Sequence, residues 1–475
     1  MPGHPIEPPD ARSIALKGER HMTTTNRLQV GIDFGQKKAD LSLLFPDGQP
    51  LEPHVSFTNS LPGYSLAKQL LLDTLDEYAF DGIDVSGEAT GYFWLPFVLQ
   101  LAADPDLAPH DLNLFLLNPR WVKWFKKCFA EDDKSDQRDP FYIAERTRTR
   151  RPSATWSPPD CLPLRFYTRL RFHLVQNLAR EKCYFSAFLF LKASSYRRLK
   201  PFSDVFGATS RLVLTQYPSL DQLAELPVED LALHLQQLSG NHLPDAFDNA
   251  RKLQQVAQES FSLDDTLAVP VQRILDLTLE HIRFLETQVD QVDGWIATEI
   301  ESYPVISQLA TIPGIGPVFS SGIAAEIGGV QRFLQGQKWD RKRKRYRPRN
   351  LRDAEDAVAK IAGLWWPRAD SGDFEAEDRR MAKSGNRYLR YYLIQGADRM
   401  RRHIPEYTAY YARKHKEAAK HHHKRALVLT ARKSVGLIVG LLHRNEPYRS
   451  KEDRRTSPIL LACGNSRQVD WVTRR

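Results

Sequence analysis

The chain has 475 residues, of which 42% are hydrophobic and 26% charged. That balance excludes a wholly disordered or fibrous protein, and the length suggests about two to four domains. The net charge of +9 hides an asymmetry: residues 331–475 hold 36 Lys/Arg against 16 Asp/Glu, which leaves 31 against 42 in residues 1–330. The carboxyl-terminal part is suited to a polyanion and the rest is not.

Residues 1–26 are polar and Pro-rich, without the apolar core of a signal peptide, and read as a leader outside the fold, with Met22 an alternative start. From Leu28 the pattern alternates: Leu28, Val30 and Ile32 lead to Asp33, and Leu41, Leu43 and Leu44 follow the turn-like Gly35–Lys38, predicting a β-hairpin closed by Pro46-Asp47-Gly48. Leu66, Leu70, Leu71, Leu75 and Tyr78 predict a helix. Gly82–Glu88 reads as a buried strand, Gly91–Leu101 as a helix and Leu114–Leu117 as another strand, so this part is α/β with a mixed sheet. The domain is expected over residues 27–158.

Residues 159–302 lose the strand signals. Leu164–Leu191 and Leu220–Leu238 are helical, and Leu275, Leu279, Ile282, Leu285, Val289, Val292, Ile296 and Ile300 step by three or four along a long amphipathic helix. It reads either as an ordinary bundle helix or as a coiled-coil arm for spacing or oligomerisation. A basic, mainly α domain is expected over 303–445, and 446–475 read as a tail. The longest apolar run, Val435–Leu442, falls far short of the ~18 residues that span a bilayer. Cys128, Cys161, Cys183 and Cys463 are scattered without zinc spacing, which suits a reducing cytosol.

Asp33 and Glu88 each end a hydrophobic strand, and Asp136 and Asp139, three apart, open an expected helix. Singly, such acids are common as caps or surface residues. Together they form an oxygen-only set suited to Mg²⁺ or Mn²⁺, and a metal pair can orient the attacking and leaving oxygens of a phosphodiester. Thr311–Pro317 contains Pro-Gly-Ile-Gly-Pro between helical stretches, where Gly314 and Gly316 allow a helix–hairpin–helix turn whose N–H groups face phosphate, or simply a helix–helix loop. Lys338–Arg352 holds nine Lys/Arg, among them Lys338, Arg341, Lys342, Arg343, Lys344 and Arg345, with Trp339 and Tyr346 interleaved for stacking on unpaired bases. Ser371 and Ser384 each precede a glycine near Arg368, Lys383 and Arg387. Alone, each reads as a turn residue, since a hydroxyl needs activation to attack. His421-His422-His423 reads as a solvated basic run.

In this order the pieces resemble the DEDD transposases, or recombinases, of the IS110 insertion sequences, including the IS1111-like branch. The carriers are Gly31-Ile32-Asp33-Phe34-Gly35, Gly87-Glu88-Ala89-Thr90-Gly91, Lys134–Asp139, Thr311–Pro317, Gly363-Leu364 with Pro367-Arg368, Ser371-Gly372 and Gly385–Arg390, across roughly residues 27–445. The resemblance implies an RNase H-like (RuvC-like) amino-terminal domain whose four acids are Asp33, Glu88, Asp136 and Asp139, with Mg²⁺ or Mn²⁺. It implies a serine nucleophile that forms a 5′-phosphoserine link to DNA, placed on Ser371 with Ser384 in reserve. It places DNA contacts in the basic domain, adding Arg368, Lys383, Asn386, Arg387 and Arg390 to the hairpin and the basic run. It further implies donor and target double-stranded DNA, a structured noncoding guide (bridge) RNA, a homo-oligomer (dimer or tetramer) with a composite site, no membrane, and a bacterial, nucleoid-associated location. Two departures stand out: Ala382-Lys383-Ser384-Gly385-Asn386 where many relatives carry Ser-Lys-x-Gly-Asn, and a longer segment between Phe333 and Gly363.

Three other readings make different demands. A RuvC-like junction nuclease would use the acids with water and no serine. An actin-like or sugar-kinase-like ATPase would start a phosphate loop at Gly31–Gly35, yet lacks a second glycine-rich phosphate motif. A non-catalytic DNA-binding protein would use only the hairpin and the basic domain.

Overall fold

The computed structural model describes residues 26–450 except 130–135, 150–154, 157, 160, 218, 341, 368–369, 372–373, 376–380 and 383. The chain separates into two compact units, Met1–Pro158 and Pro159–Arg475.

In the first unit, β1 (Arg27–Phe34), β2 (Lys38–Leu44) and β3 (Pro50–Thr58) form an antiparallel meander. Helix α1 (Leu61–Glu77) leads to β4 (Gly82–Glu88), and α2 (Leu95–Ala103) to β5 (Leu112–Leu117), both strands parallel to the neighbour on their β1 side. The sheet order β3-β2-β1-β4-β5 is consistent with the expected RuvC-like domain. Strand β3 was not foreseen. It is an edge strand carrying Pro50 and Pro53, and its alternation is poor because only one side of it pairs.

Leu28, Val30, Ile32 and Phe34 point to one face of β1, into a core with Leu71, Leu75, Phe97 and Val98 of α1 and α2. The opposite face of the sheet is covered by α4 (Asp139–Thr149), and α3 (Pro119–Lys126) packs on α4, with its Val122 clustered with Leu117 of β5 and Ile143. Helix α4 lies against β1, β2 and β4, and it follows directly from a 3-10 turn at Asp136–Arg138. Its approach to β1 is very close: a Cβ added at Gly31 would stand 2.0 Å from the Pro140 carbonyl oxygen and 2.6 Å from Ala144 N. Ser86 of β4 donates its hydroxyl proton to Val30 O at 2.9 Å, with Ile143 O of α4 at 3.4 Å.

The second unit is built on an antiparallel pair of long helices, α5 (Leu162–Lys192) and a partner near residue 280. Between them run α6 (Tyr196–Leu199), α7 (Ala208–Gln216), α8 (Asp221–Glu225), α9 (Val228–Leu238) and α10 (Ala246–Glu259), followed by that partner, α11 (Asp265–Glu299). At 31 and 35 residues the long pair spans about 46 and 52 Å at 1.5 Å per residue. The Leu164 end of α5 packs with Val292 and Ile296, and its Phe185–Leu189 end packs with Leu275, Leu279 and Ile282. The heptad-like face of α11 is thus covered by its own chain, and α6–α10 form a helical head at the tip of the arm.

At the base of the arm lie α12 (Pro304–Ala310), α13 (Pro317–Ile327), the hairpin β6 (Gln337–Asp340)–β7 (Arg345–Pro348), α14 (Leu351–Ile361), the short pair β8 (Asp370–Ser371)–β9 (Phe374–Glu375), α15 (Arg387–His403), α16 (Pro405–Glu417) and α17 (His422–Arg444). Cys161, Leu164, Val292, Ile296 and Ile300 thus join residues 306–441 in one core, while Phe185 to Ile282 form another at the tip of the arm. Helix α17 is long and apolar enough by composition to cross a membrane, a test that the core helix of a folded unit also passes. Half of its most apolar window is buried, with Ala431, Val435, Ile438 and Val439 in the core.

Two glycines give opposite expectations. Gly31→Ala forces α4 off the sheet and should cost the first unit about 1–3 kcal/mol by thermal or urea unfolding. Gly294→Ala, in the exposed interior of α11 with nothing within 4 Å of the added carbon, should stabilise the second unit by about 0.8–1.0 kcal/mol.

Candidate active site

Strands β1 and β4 run in parallel with Ile32 opposite Gly87. One step further brings Asp33 and Glu88 side by side at the carboxyl ends of both strands, on the face that α4 covers. Asp139 is the first residue of α4, so the close seating at Gly31 brings it to the same place.

The electrostatics report that proximity. Burial pushes the Asp33 carboxyl up from its ordinary value, and the negative charges of Asp139 and Glu88 push it further, while Lys126 pulls it down. Lys126, in the last turn of α3, holds Asp139 through a 2.5 Å ion pair. Thr90 donates a hydroxyl proton to Glu88 Oε1 at 2.8 Å. Asp40 lies opposite Asp33 on β2. Burial pushes its carboxyl up as it does that of Asp33, but hydrogen bonds involving Lys38, Ser56 and His54 outweigh it and hold the group below its ordinary value.

The backbone of Asp136 sits in the turn before α4, and its side chain lies outside the described residues. Among the described residues no group of three or more His, Cys, Asp or Glu side chains is gathered closely enough to hold a metal. The sequence reading missed Lys126, which nothing in the run Lys123–Lys127 distinguishes from a solvated cation.

The serines belong to the second unit. Ser371 lies in β8 opposite Phe374, immediately before the connection 372–373; its side chain lies outside the described residues, as do Arg368 and Lys383. Ser384 is exposed. Both sit on one excursion with a closed neck: Ala382 N–H donates to Trp365 O at 2.9 Å and Asn386 N–H to Ile361 O at 2.7 Å. Gly363 and Gly385 take positive φ (71° and 127°) at that neck, and an added Cβ at either would strike backbone oxygen within 2.5 Å. Asn386 caps α15 by accepting from Tyr388 N and Leu389 N, and donates to Glu326 Oε2 at 2.6 Å. Glu326, almost fully buried on α13, also receives both prongs of Arg169 from α5, at 2.6 and 2.9 Å.

The other expected nucleic-acid contacts divide. At the Pro-Gly-Ile-Gly-Pro turn, Ile312 and Ile315 are buried and Gly314 (φ 85°) rests on Arg399 and His403 of α15; Gly316 is the uncapped start of α13. Lys338 binds Asp353 at 2.6 Å beside Arg347, which also binds it, so this cation anchors the hairpin to α14. Lys342 and Arg343 donate backbone N–H groups to Asp340, and with Lys344 and Arg345 they form the exposed hairpin tip; Arg341 is outside the described residues. Trp339 and Tyr346 face each other at 5.1 Å and are about half exposed (47% and 49%). Arg387 lies over the rings of Phe172 and Tyr388, and Arg390 donates to Ala362 O at 3.2 Å.

Because the folded protein raises the Asp33 pKa above 3.8, ionising that group costs stability. Asp33→Asn should therefore raise the melting temperature of the first unit at neutral pH by roughly 2–4 °C. That gain should disappear as pH falls through the folded pKa toward 3.8. Lys126→Met should move the Asp33 midpoint upward in a carboxyl NMR titration.

Two family models match. One, described as a transposase of the IS110 DEDD type, covers residues 30–191 and so includes all four acids. The other, described as the transposase IS116/IS110/IS902 family, covers residues 347–412 and so includes Ser371, Ser384 and the neck. No curated protein matches the chain. Both matches support an IS110-family transposase, one through the acid-bearing segment and the other through the serine-bearing one.

Proposed function

We propose that this transposase cuts and rejoins DNA through a covalent 5′-phosphoserine link, directed by a structured noncoding RNA that pairs with donor and target. The observation that supports it best is that Asp33 feels the charges of Glu88 and Asp139, acids from distant segments, although the three described side chains are not drawn together tightly enough to form a metal cluster by themselves. Enzymes gather like charges in this way where a cation is to be held. The donor set is oxygen-only and suits Mg²⁺ or Mn²⁺, and Asp33, Glu88, Asp136 and Asp139 would hold it. When bound, it would offset the negative charge that develops on the scissile phosphate.

The chain's own residues do the rest. The seryl oxygen of Ser371, or of Ser384, attacks phosphorus and loses its proton. The 3′ oxygen of the cut strand leaves and gains one. A 3′-hydroxyl from the partner strand then attacks the phosphoserine and restores the serine, so the number of phosphodiester bonds is conserved. The closed neck supports this role by holding the serine-bearing excursion at a fixed base. The cationic tip Lys342–Arg345 and the turn at Gly316 would grip phosphates without reading sequence. A homo-oligomer with acids and serine from different copies is part of the proposal, and the exposed Leu277 and Phe284 of α11 give such an assembly an apolar surface.

The test is to trap cleaved DNA under denaturing conditions. A protein–DNA adduct should form with Mg²⁺, vanish in Ser371→Ala and fall at least about 10²-fold in Asp33→Asn. Loss in Ser384→Ala instead would move the nucleophile. Metal-dependent cutting without any adduct would replace this reading with the water-using junction nuclease. Copurifying RNA from the flanking element should be detectable, and its absence from active preparations would remove the guide.

A further inference from the structure

The carboxyl ends of β1 and β4 carry more than acids. Strand β1 runs from Asp33 and Phe34 into the turn Gly35–Lys37, and β4 runs from Glu88 into the loop Ala89–Trp94. Asn59, just past β3, ties these two segments together. Its Nδ2 donates to Gly35 O and to Phe93 O, both at 2.9 Å, and its backbone N–H donates to Lys37 O at 3.0 Å. The indole N–H of Trp94 donates to Gly91 O at 3.1 Å and stiffens the second loop.

With α1 and α2 these segments wall a groove of about 340 Å³. Phe97 lies on its floor, while Tyr92 (49%) and Phe93 (44%) stand about half exposed at its mouth, enough ring surface for a planar partner. Gln36, Asn59 and Gln100 supply amides, and no charged side chain lines it. The size falls within the range of small-molecule sites. A wall without charge is unsuited to phosphate. Aromatic faces with amide groups suit a neutral, flat heterocycle whose edge makes hydrogen bonds.

We propose that this groove takes one unpaired nucleobase of the strand whose phosphate lies at the acids. The base stacks on Tyr92 or Phe93, and the amides of Gln36 and Gln100 meet its polar edge. The choice of occupant rests on continuity: the loops that wall the groove are the direct extensions of Asp33 and Glu88, so it rests on the assignment of those acids to strand cutting. Stacking of about 1–3 kcal/mol per base would offset the cost of taking the base out of a helix.

The test uses the full chain and a short oligothymidylate with one central 5-iododeoxyuridine, either single-stranded or annealed to its complement. After irradiation the cross-linked peptide is sequenced by mass spectrometry. The single-stranded probe should cross-link at Tyr92 or Phe93 at least about tenfold more than the duplex, as one stacked base would allow. The Tyr92→Ala/Phe93→Ala double variant, with its melting temperature checked, should lose that adduct. The Tyr92→Phe/Phe93→Tyr swap, which retains both rings, should keep it. Cross-links confined to other segments such as Trp339 or Tyr346, or equal yields on both probes, would overturn the proposal. Asp33→Asn separates the two readings: it should keep this cross-link while losing DNA cutting. If it cuts as well as the unaltered chain, the function reading fails and with it the link between groove and acids, while a retained cross-link still shows a base seated on Tyr92 or Phe93. If it is inactive and no cross-link forms at the groove, the groove fails alone.

Discussion

The first unit depends on one close contact, the seating of α4 on β1 at Gly31. A helix normally keeps its distance from a sheet because side chains stand between them. Here the missing side chain lets the Pro140 carbonyl reach the strand, leaving no room even for a methyl group. Asp139 precedes Pro140, so this contact fixes where its carboxylate lies relative to Asp33. Burial pushes the Asp33 carboxyl up, and the charges of Asp139 and Glu88 push it further. The lysine on Asp139 tempers that repulsion without removing it.

Much of this was legible in the sequence because it is local. The alternation Leu28-Val30-Ile32 and the continuous run at Gly82–Glu88 announce half-buried and fully buried strands, and an acid at the end of each is visible by inspection. The parts that were not legible are relations between distant segments. Strand β3 carries two prolines and pairs on one side only, so its pattern resembles a loop. The helical signal over Leu220–Leu238 is broken in fact at Pro227, where α8 and α9 meet. The arm shows the same limit. The spacing from Leu275 to Ile300 says that a face is covered but not by what, and the partner proves to be α5, about a hundred residues earlier. The charge of its neighbours marks Lys338 as a cation for nucleic acid but does not reveal its ion pair with Asp353, which the cap of α14 places.

In the second unit a single carboxylate joins three elements. Glu326 of α13 accepts Arg169 from α5 and Asn386 at the start of α15. Removing one partner from a buried pair of this kind costs about 3–5 kcal/mol, because the remaining charge is left without compensation. The arm, the turn helix and the base of the serine-bearing excursion are thereby made to move together. Asn386, expected on sequence to meet nucleic acid, spends its amide on that junction.

The closed neck at Ile361–Trp365 and Ala382–Asn386 also bears on how such a protein changes over generations. Both ends of the excursion are fastened to the same small patch of backbone, so its base does not depend on its length. Each doubling of such a stretch costs only about 0.6 kcal/mol of closure entropy. The stretch around the nucleophile can therefore be lengthened or borrowed as a cassette, while the frame that presents it stays unaltered.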